Sequence, residues 1–177
     1  MVVLRPTVKS ARGLPAPQSI DTPSDGALGD WYINRITIHR APVLLLVSSA
    51  SLLPILAPAR EIATFPSRFP AILGKRLARL GVPDHLIGAE TATLDPVRIG
   101  RTRDRATVGI LVEFTRMIPC HTDSSGRNSL DEIESWLAHV PCRADHRECI
   151  WPDKAARQLL EEHWSDTPTP RHLHLIL

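Results

Sequence analysis

An arginine cluster in the second half of the chain has the residue types and the spacing of an anion-binding site. Its members lie within eight residues of each other: Arg98, Arg101, Arg103 and Arg105, with Thr102 among them. A mostly apolar segment, predicted to be helical, follows at once. The first turn of a helix carries unpaired N–H groups, and guanidinium groups donate paired hydrogen bonds to oxyanions. The cluster therefore predicts a phosphate ligand, as in a nucleic acid. The alternative is a solvated loop in which Asp104 caps the helix and pairs with an arginine.

Three further basic residues, Lys75, Arg76 and Arg79, lie on a predicted helix at residues 67–80. Apolar residues recur there at helical spacing, and the basic residues fall largely on the other faces. We expect them to extend the cationic surface of the arginine cluster. An exposed helix face carries such charges without any ligand, so this alternative stays open.

A second candidate site lies at the start of a predicted strand, where we expect Asp30, Trp31 and Asn34 to face a ligand. The carboxylate can position a substrate and the indole can stack on a base. The alternative is a strand-opening turn, with the tryptophan in the core and the asparagine bonded to a neighbouring strand. A catalytic pair between Asp30 and His39 is excluded, because about 3.3 Å per residue places them roughly 30 Å apart.

Cysteines and a histidine near the C-terminus form the third candidate site: Cys120, Cys142, His146 and Cys149. Thiolates and imidazole are zinc ligands, so the set is a candidate for a structural zinc, although the spacing matches no familiar zinc finger closely. The alternative is a set of free thiols. Three cysteines are an odd number, which argues against a disulfide framework. We expect no other cofactor.

Composition limits the class of protein. There are 21 Lys and Arg against 19 Asp and Glu, a net charge of +2, so only local clustering argues for a nucleic-acid partner. The longest aliphatic run, residues 43–47, is far too short to span a membrane, and the first residues do not read as a secretory signal. We expect a cytoplasmic protein without a membrane partner. The oligomeric state is left open.

Local patterns predict an α+β fold with a small antiparallel sheet around a central hairpin, packed against helices, and a mainly helical C-terminal extension. The predicted strands are residues 2–4, the hairpin 31–47, an edge strand 52–56, residues 97–99 and residues 171–177. The predicted helices are residues 67–80, 84–92, 106–118, 130–140 and 153–164. Residues 9–28, rich in Pro and Gly, read as an arm that is either mobile or bound. We place the domain at residues 1–118 and the extension at 119–177.

Four segments carry a resemblance to a known family: Gly29-Asp30-Trp31-Tyr32, Leu52-Leu53-Pro54-Ile55-Leu56-Ala57-Pro58, Leu80-Gly81-Val82-Pro83 and Thr102-Arg103-Asp104-Arg105. In this order they resemble the GDWY-N, LLPVL-P, LGVP and T-x-x-R segments of small bacterial proteins classed as domain of unknown function 6933. The similarity runs from Val2 to Met117. Family members often continue with Ser-Val-Leu-Gly-Ser-Met-Asn, whereas residues 106–112 read Ala-Thr-Val-Gly-Ile-Leu-Val, so the polar part of that signature is missing. The resemblance implies no reaction.

Two functions follow from these patterns. The first is a non-enzymatic interaction protein that binds nucleic acid or a protein partner through the arginine cluster and the adjacent helix. The second is an enzyme acting on a phosphate-containing substrate, with Arg101 and Arg103 stabilising charge. Carboxylates are scattered singly through the first two-thirds of the chain, which offers no evident general base or metal-binding pair. The sequence therefore favours binding.

Overall fold

The computed structural model describes residues 1–60, 62–122, 128–143 and 148–165. Within these ranges the strands are β1 Val2–Pro6, β2 Trp31–Ile38, β3 Ala41–Ser48, β4 Pro54–Pro58 and β5 Val97–Ile99. The helices are α1 Phe65–Arg79, α2 Asp84–Ala92, α3 Arg105–His121, α4 Leu130–Ala138 and α5 Pro152–Trp164, and a 3₁₀ turn spans Ile62–Thr64. The strand predicted at residues 171–177 lies outside the described residues. The α+β class is confirmed.

The five described strands form one sheet in the order β4-β3-β2-β1-β5. The pairs β2–β3 and β3–β4 are antiparallel, whereas β1 runs parallel to both β2 and β5. The sheet is therefore mixed, which corrects the expected antiparallel sheet. The reason lies in residues 7–30, which carry the chain back along the sheet, so that β2 starts at the same end as β1.

The hairpin between β2 and β3 is confirmed, and its turn consists of His39 and Arg40. Both residues have positive φ, at 47° and 63°, as in the tight turns whose twist matches that of the paired strands. Pro42 lies inside β3, opposite Thr37, and has no N–H to donate to the ladder. β4 lies at one edge of the sheet, as predicted, and it begins two residues later than expected because Leu52 adopts a turn conformation with φ of 60°.

Both faces of the sheet are covered by helices. One core cluster contains Trp31 and Ile33 and is completed by residues of α1, α2 and α5. The other contains Tyr32 and Ile36 and is completed by residues of α3 and α4. Alternation along β2 thus sends neighbouring side chains into opposite cores. The uninterrupted aliphatic run of β3 is buried throughout, as expected for a strand covered on both sides.

The described part of the C-terminal extension is helical, and the capping box of Ser129 and Glu132 at the start of α4 is confirmed. Together, α4 and α5 supply buried residues to the two core clusters. The proposed boundary at residue 118 falls within α3, which continues to His121. The division into domain and extension stays a prediction.

α1 and α4 are joined by buried charges. Arg76, only 1% exposed, has its Nε 3.1 Å from Glu134 Oε1, and Arg79 Nη2 donates to the same oxygen at 2.6 Å. The other carboxylate oxygen accepts from Leu56 N on β4. Burial lowers the pKa of the Arg76 guanidinium and raises the pKa of the Glu134 carboxyl, while the attraction between the charges opposes both shifts. The expectation that Arg76 belongs to a ligand-binding surface is therefore wrong.

We expect Arg76→Met to lower the free energy of unfolding by about 3 kcal/mol, because it strips a buried carboxylate of one of its two cationic partners. Urea denaturation at neutral pH measures the loss. The matched control, Lys75→Met, changes an exposed neighbour on the same helix and should stay within about 0.5 kcal/mol of the parent. Adding Glu134→Gln to Arg76→Met should restore part of the stability. If Arg76→Met were as stable as Lys75→Met, the ion pair would not stabilise the packing of α1 against α4.

Candidate functional site

The predicted arginine cluster lies on the connection between β5 and α3. We call residues 100–105 the Arg loop. Its backbone is fixed on two sides: Gly100 N donates to Leu4 O of β1 at 2.8 Å, and Arg101 N donates to Gln18 O at 3.0 Å. The segment before β2, for which the sequence allowed either a mobile or a bound arm, is thus bound to the sheet. The first two residues of the Arg loop are therefore fixed by main-chain hydrogen bonds.

A buried arginine lies directly beneath this loop. Arg5, at the end of β1, is 1% exposed and spreads its guanidinium over three acceptors. Nε donates to Asp30 Oδ2 at 2.5 Å, Nη1 to Arg101 O at 2.6 Å and Nη2 to Ile20 O at 3.0 Å. A Cβ atom at Gly100 would lie 2.9 Å from Arg5 Nη1. The chain therefore passes over the guanidinium at a point where only glycine fits without displacement.

Asp30 completes this buried pair. Its Oδ1 accepts from the N–H and the hydroxyl of Ser24, at 3.1 and 2.7 Å, and Arg103 Nη2 lies 3.8 Å from its Oδ2. Asp30 is buried, and so is Trp31, whose ring packs edge-on against Phe69 at a centroid distance of 5.4 Å. The expectation that Asp30 and Trp31 face a ligand is wrong: both are committed to the interior.

Asn34, the third residue of that expected set, is only partly buried. Its Oδ1 accepts a hydrogen bond from the Thr7 hydroxyl at 3.0 Å. Asn34 also lines an open groove between β2 and α3, so the expectation that it faces a ligand stays a prediction.

The start of α3 is held by a second polar group. Asp104 caps the helix: its Oδ1 accepts from Ala106 N at 2.9 Å, and the Thr107 hydroxyl donates to its Oδ2. Asp104 N in turn donates to the hydroxyl oxygen of Tyr32 at 3.0 Å. Burial raises the pKa of Tyr32, which keeps the phenol neutral. The alternative interpretation of the arginine cluster had Asp104 as the cap of the helix, and this cap is present. Its carboxylate accepts hydrogen bonds from the N–H groups that an anion at the helix terminus would use.

The arginine side chains themselves point outward. Arg98, Arg101, Thr102 and Arg105 are exposed. Arg103 is 45% exposed and donates from Nη1 to Asp21 O at 3.0 Å. Among the ion pairs between described residues, none involves Arg98, Arg101 or Arg105. A cleft of about 550 Å³ opens beside Arg103 and Arg105. The cluster thus offers cations to solvent at the surface.

The basic residues of α1 behave differently from those of the Arg loop. Lys75 is exposed, but Arg79 is drawn to α4, where Nη1 lies 2.8 Å from Asp131 Oδ1. Sequence reasoning missed the residues that hold the loop, Arg5, Ser24 and Tyr32. One available signal was the lone carboxylate of Asp30 next to Trp31, since a carboxylate beside a buried aromatic needs a cationic partner.

The cysteines divide into two kinds. Cys120 and Cys149 are exposed, whereas Cys142 is buried and its thiol donates to Val140 O. Burial raises the pKa of Cys142 to about 12. His146 lies outside the described residues, and within residues 1–60, 62–122, 128–143 and 148–165 no three His, Cys, Asp or Glu residues are grouped as metal ligands. The structural zinc stays a prediction.

Fold and site together define the class of protein as a mixed-sheet α+β domain that presents an arginine loop anchored by a buried ion pair. The chain belongs to the family described as Domain of unknown function (DUF6933), which matches residues 3–155. The match thus extends beyond Met117, where the resemblance seen in the motifs ended. No curated protein and no solved structure matches the chain.

Two of the four resemblance segments meet at the Arg loop. Asp30 and Tyr32 of the GDWY segment contact, respectively, Arg5 and the backbone of Asp104. The T-x-x-R segment is the loop itself, residues 102–105.

The described helices include none with the length and apolar character that a bilayer span requires.

We expect Arg5→Met to loosen the Arg loop. It removes a charged hydrogen bond to Arg101 O, and such bonds contribute about 1.5–3 kcal/mol, so amide exchange in residues 100–105 should accelerate about ten-fold or more. Arg5→Lys should have the same effect with a smaller loss of stability, because one ammonium cannot span three separate acceptors. Hydrogen–deuterium exchange measures both variants. The control is Arg12→Met at an exposed arginine; if it loosened the loop equally, the anchor would not be specific.

We expect two fast-reacting thiols and one slow one. At pH 8 a disulfide reagent should modify Cys120 and Cys149 readily, while Cys142 reacts only as the protein unfolds. The pKa of Cys142 is raised from 9.0 to about 12, so its stabilising contribution is complete below pH 9 and is lost as the pH rises towards 12. Cys142→Ala should leave the fast phase unchanged, and loss of fast signal would contradict this assignment.

The structural zinc has its own test. Elemental analysis of the purified protein that finds under about half an equivalent of zinc would exclude the metal site.

Proposed function

We propose that the protein is a non-enzymatic interaction protein that binds the phosphate groups of a nucleic acid through the Arg loop. The observation that carries the proposal is the exposure of Arg98, Arg101 and Arg105, none of which has an acidic partner among the described residues. An exposed guanidinium group without an acidic partner can donate two parallel hydrogen bonds to the oxygens of one phosphate. The exposed hydroxyl of Thr102 adds a donor between them.

The fixed backbone of the loop supports this proposal. Arg5 and Gln18 hold the main chain at Arg101, and Tyr32 holds it at Asp104. A loop that is ordered before binding loses less conformational entropy when its ligand arrives. Only the outward side chains then remain to be ordered by the phosphates.

The distribution of charge favours a polyanion over a single phosphate. The cations extend from Arg98 on β5 through the loop to Arg105 at the start of α3, so they can contact successive phosphates. The net charge of only +2 makes the attraction local. Binding should therefore be modest in strength and strongly dependent on salt.

The alternative, an enzyme acting on a phosphate-containing substrate, has less support. Two of the carboxylates near the loop are Asp30, 3.8 Å from Arg103, and Asp104, which caps α3. Asp30 is occupied by Arg5 and Ser24, and Asp104 by the N–H groups that it caps. A general base needs a lone pair within reach of its substrate. Both carboxylates are already used by the fold, which favours binding over catalysis.

The test is fluorescence anisotropy with labelled duplex DNA and single-stranded RNA at several salt concentrations. The variant Arg98→Ala, Arg101→Ala, Arg105→Ala should weaken binding at least ten-fold at about 50 mM salt, and the slope of log K against log salt should fall by about 1 for each phosphate that is no longer neutralised. The matched control removes three exposed arginines elsewhere: Arg60→Ala, Arg116→Ala, Arg157→Ala.

Equal losses of affinity in the loop variant and the control would show only non-specific attraction and would contradict the proposal. So would the failure of both oligonucleotides to bind the parent protein at about 50 mM salt. Retained binding in the loop variant, with folding intact by circular dichroism, would also exclude the Arg loop as the site.

A further inference from the structure

One strand of the sheet is longer than its neighbour. β2 pairs with β1 only as far as Ile33, opposite Pro6, and the last bond of this ladder runs from Thr7 N to Ile33 O. The chain then turns away at Thr7, where Ser10 N closes a turn onto Thr7 O. β2 continues to Ile38 while paired with β3 on its other side. Its second half therefore has an open edge within the described structure.

The open edge presents the main-chain groups of Arg35 and Thr37. Polar groups alternate in direction along a strand: Asp30 O accepts from Ser49 N on the β3 side, and Ile33 O accepts on the β1 side. By this alternation the N–H and C=O of Arg35 and Thr37 point to the β1 side, beyond its end. The edge can accept an added strand of roughly four or five residues.

An apolar groove of about 700 Å³ runs beside this edge. Its far wall is α3, which contributes Leu111, Val112 and Ile118. At the end of β1 it is bordered by Val8, which is 91% exposed, and Val112 on the wall is 41% exposed. Isolated exposed aliphatic residues need no explanation, but here two of them border one groove next to unpaired main-chain groups.

Charge identifies the chemistry of the occupant. The charged residues among the described residues that line the groove are Lys9 and Arg35, and both are cationic. Ile36 on β2 belongs to the core cluster on the α3 side, so Arg35 projects to the opposite face of the strand. An added strand thus meets an apolar wall on one face and a cation on the other.

We infer that the edge of β2 from Asn34 to Ile38 binds an extended peptide of a partner protein, added as a sixth strand, in which apolar residues alternate with acidic ones. Main-chain hydrogen bonds to Arg35 and Thr37 supply the affinity, and the groove and the cations select the side chains. This surface is distinct from the Arg loop, so the inference does not rest on nucleic-acid binding.

The other occupants fit less well. The segment 166–177 of the chain itself carries alternating leucines, but beside them it brings the cation of Arg171, and no carboxylate side chain, towards Lys9 and Arg35. A second copy that paired the same edges would place Arg35 and Lys9 of both copies close together. Like charges at short distance oppose both arrangements.

The probe is the fluorescein-labelled heptapeptide Glu-Val-Glu-Val-Glu-Val-Glu, titrated with the full chain and followed by anisotropy. N-methylation of alternate amides separates strand addition from simple charge attraction. Methylating the set that faces β2 should abolish binding, while methylating the other set should preserve it. The amides of the Glu residues point to one side of the added strand and those of the Val residues to the other. Which of the two sets faces β2 depends on whether the added strand runs parallel or antiparallel to β2.

Arg35→Glu should weaken the probe at least ten-fold, and the heptapeptide Lys-Val-Lys-Val-Lys-Val-Lys should then bind the variant better than the parent. Val112→Asp should weaken the probe similarly, by placing a carboxylate on the apolar wall. Arg98→Glu, a matched charge reversal on β5 at the other side of the sheet, should leave probe binding within two-fold. Unchanged binding in Arg35→Glu would overturn the inference.

Further results would also overturn it. One is a parent protein that does not bind the probe, and another is equal binding when either set of amides is methylated. A synthetic peptide of residues 166–177 that displaces the probe at lower concentration than the unlabelled probe would assign the edge to the chain itself. A dimer in light scattering that dissociates in Val112→Asp would assign it to a second copy. The Arg98, Arg101 and Arg105 variant should retain probe binding, which keeps the two surfaces separable.

Discussion

The buried ion pair between Arg5 and Asp30 is the interaction on which the arrangement of the site depends. Moving two charges out of water costs several kcal/mol each, and such a pair is tolerated only when the remaining hydrogen-bonding groups are satisfied. Here two main-chain carbonyls and Ser24 complete the set. The pair and its partners come from β1, from the segment between β1 and β2, and from the Arg loop. The pair is thus weak evidence for stability and stronger evidence for specificity, because it fixes one path of the chain at the place where arginines are displayed.

Features encoded by neighbouring residues could be predicted from the sequence. The hairpin, the capping box of α4 and the helix ending before Gly81 each depend on signals within a few positions, and the structure contains all three. The parallel pairing of β1 could not be predicted. It depends on where residues 7–30 return along the sheet, and that segment, rich in Pro and Gly, has no hydrophobic period that indicates a direction. Long-range pairing is decided by the closure of the whole fold.

The candidate site shows the same division. The spacing of Arg98, Arg101, Arg103 and Arg105 was visible in the sequence, because a cluster on one connection needs no knowledge of the fold. The burial of Arg76 was not visible: it lies between Leu73 and Leu77 on the buried face of α1, and a charged residue there is acceptable only because Glu134, 58 positions later, meets it. The partner of Arg5 was hidden for the same reason. Buried charges are readable only in pairs, and the members of these pairs are far apart in the sequence.

α3 links the Arg loop to the groove beside β2. Its first turn is tied to the Arg loop by Asp104, and its side forms the wall of the groove. Coupling between two sites requires an element with two arrangements that each ligand biases differently. α3 is held by its cap, by the hydroxyl of Tyr32 and by a buried face that includes Ile110 and Phe114. A helix fixed at that many points has no second arrangement through which binding at one site could change the affinity of the other. On the two proposals made above, the physical arrangement therefore favours independent binding of a nucleic acid and a partner peptide to one rigid support, with neither ligand altering the affinity of the other.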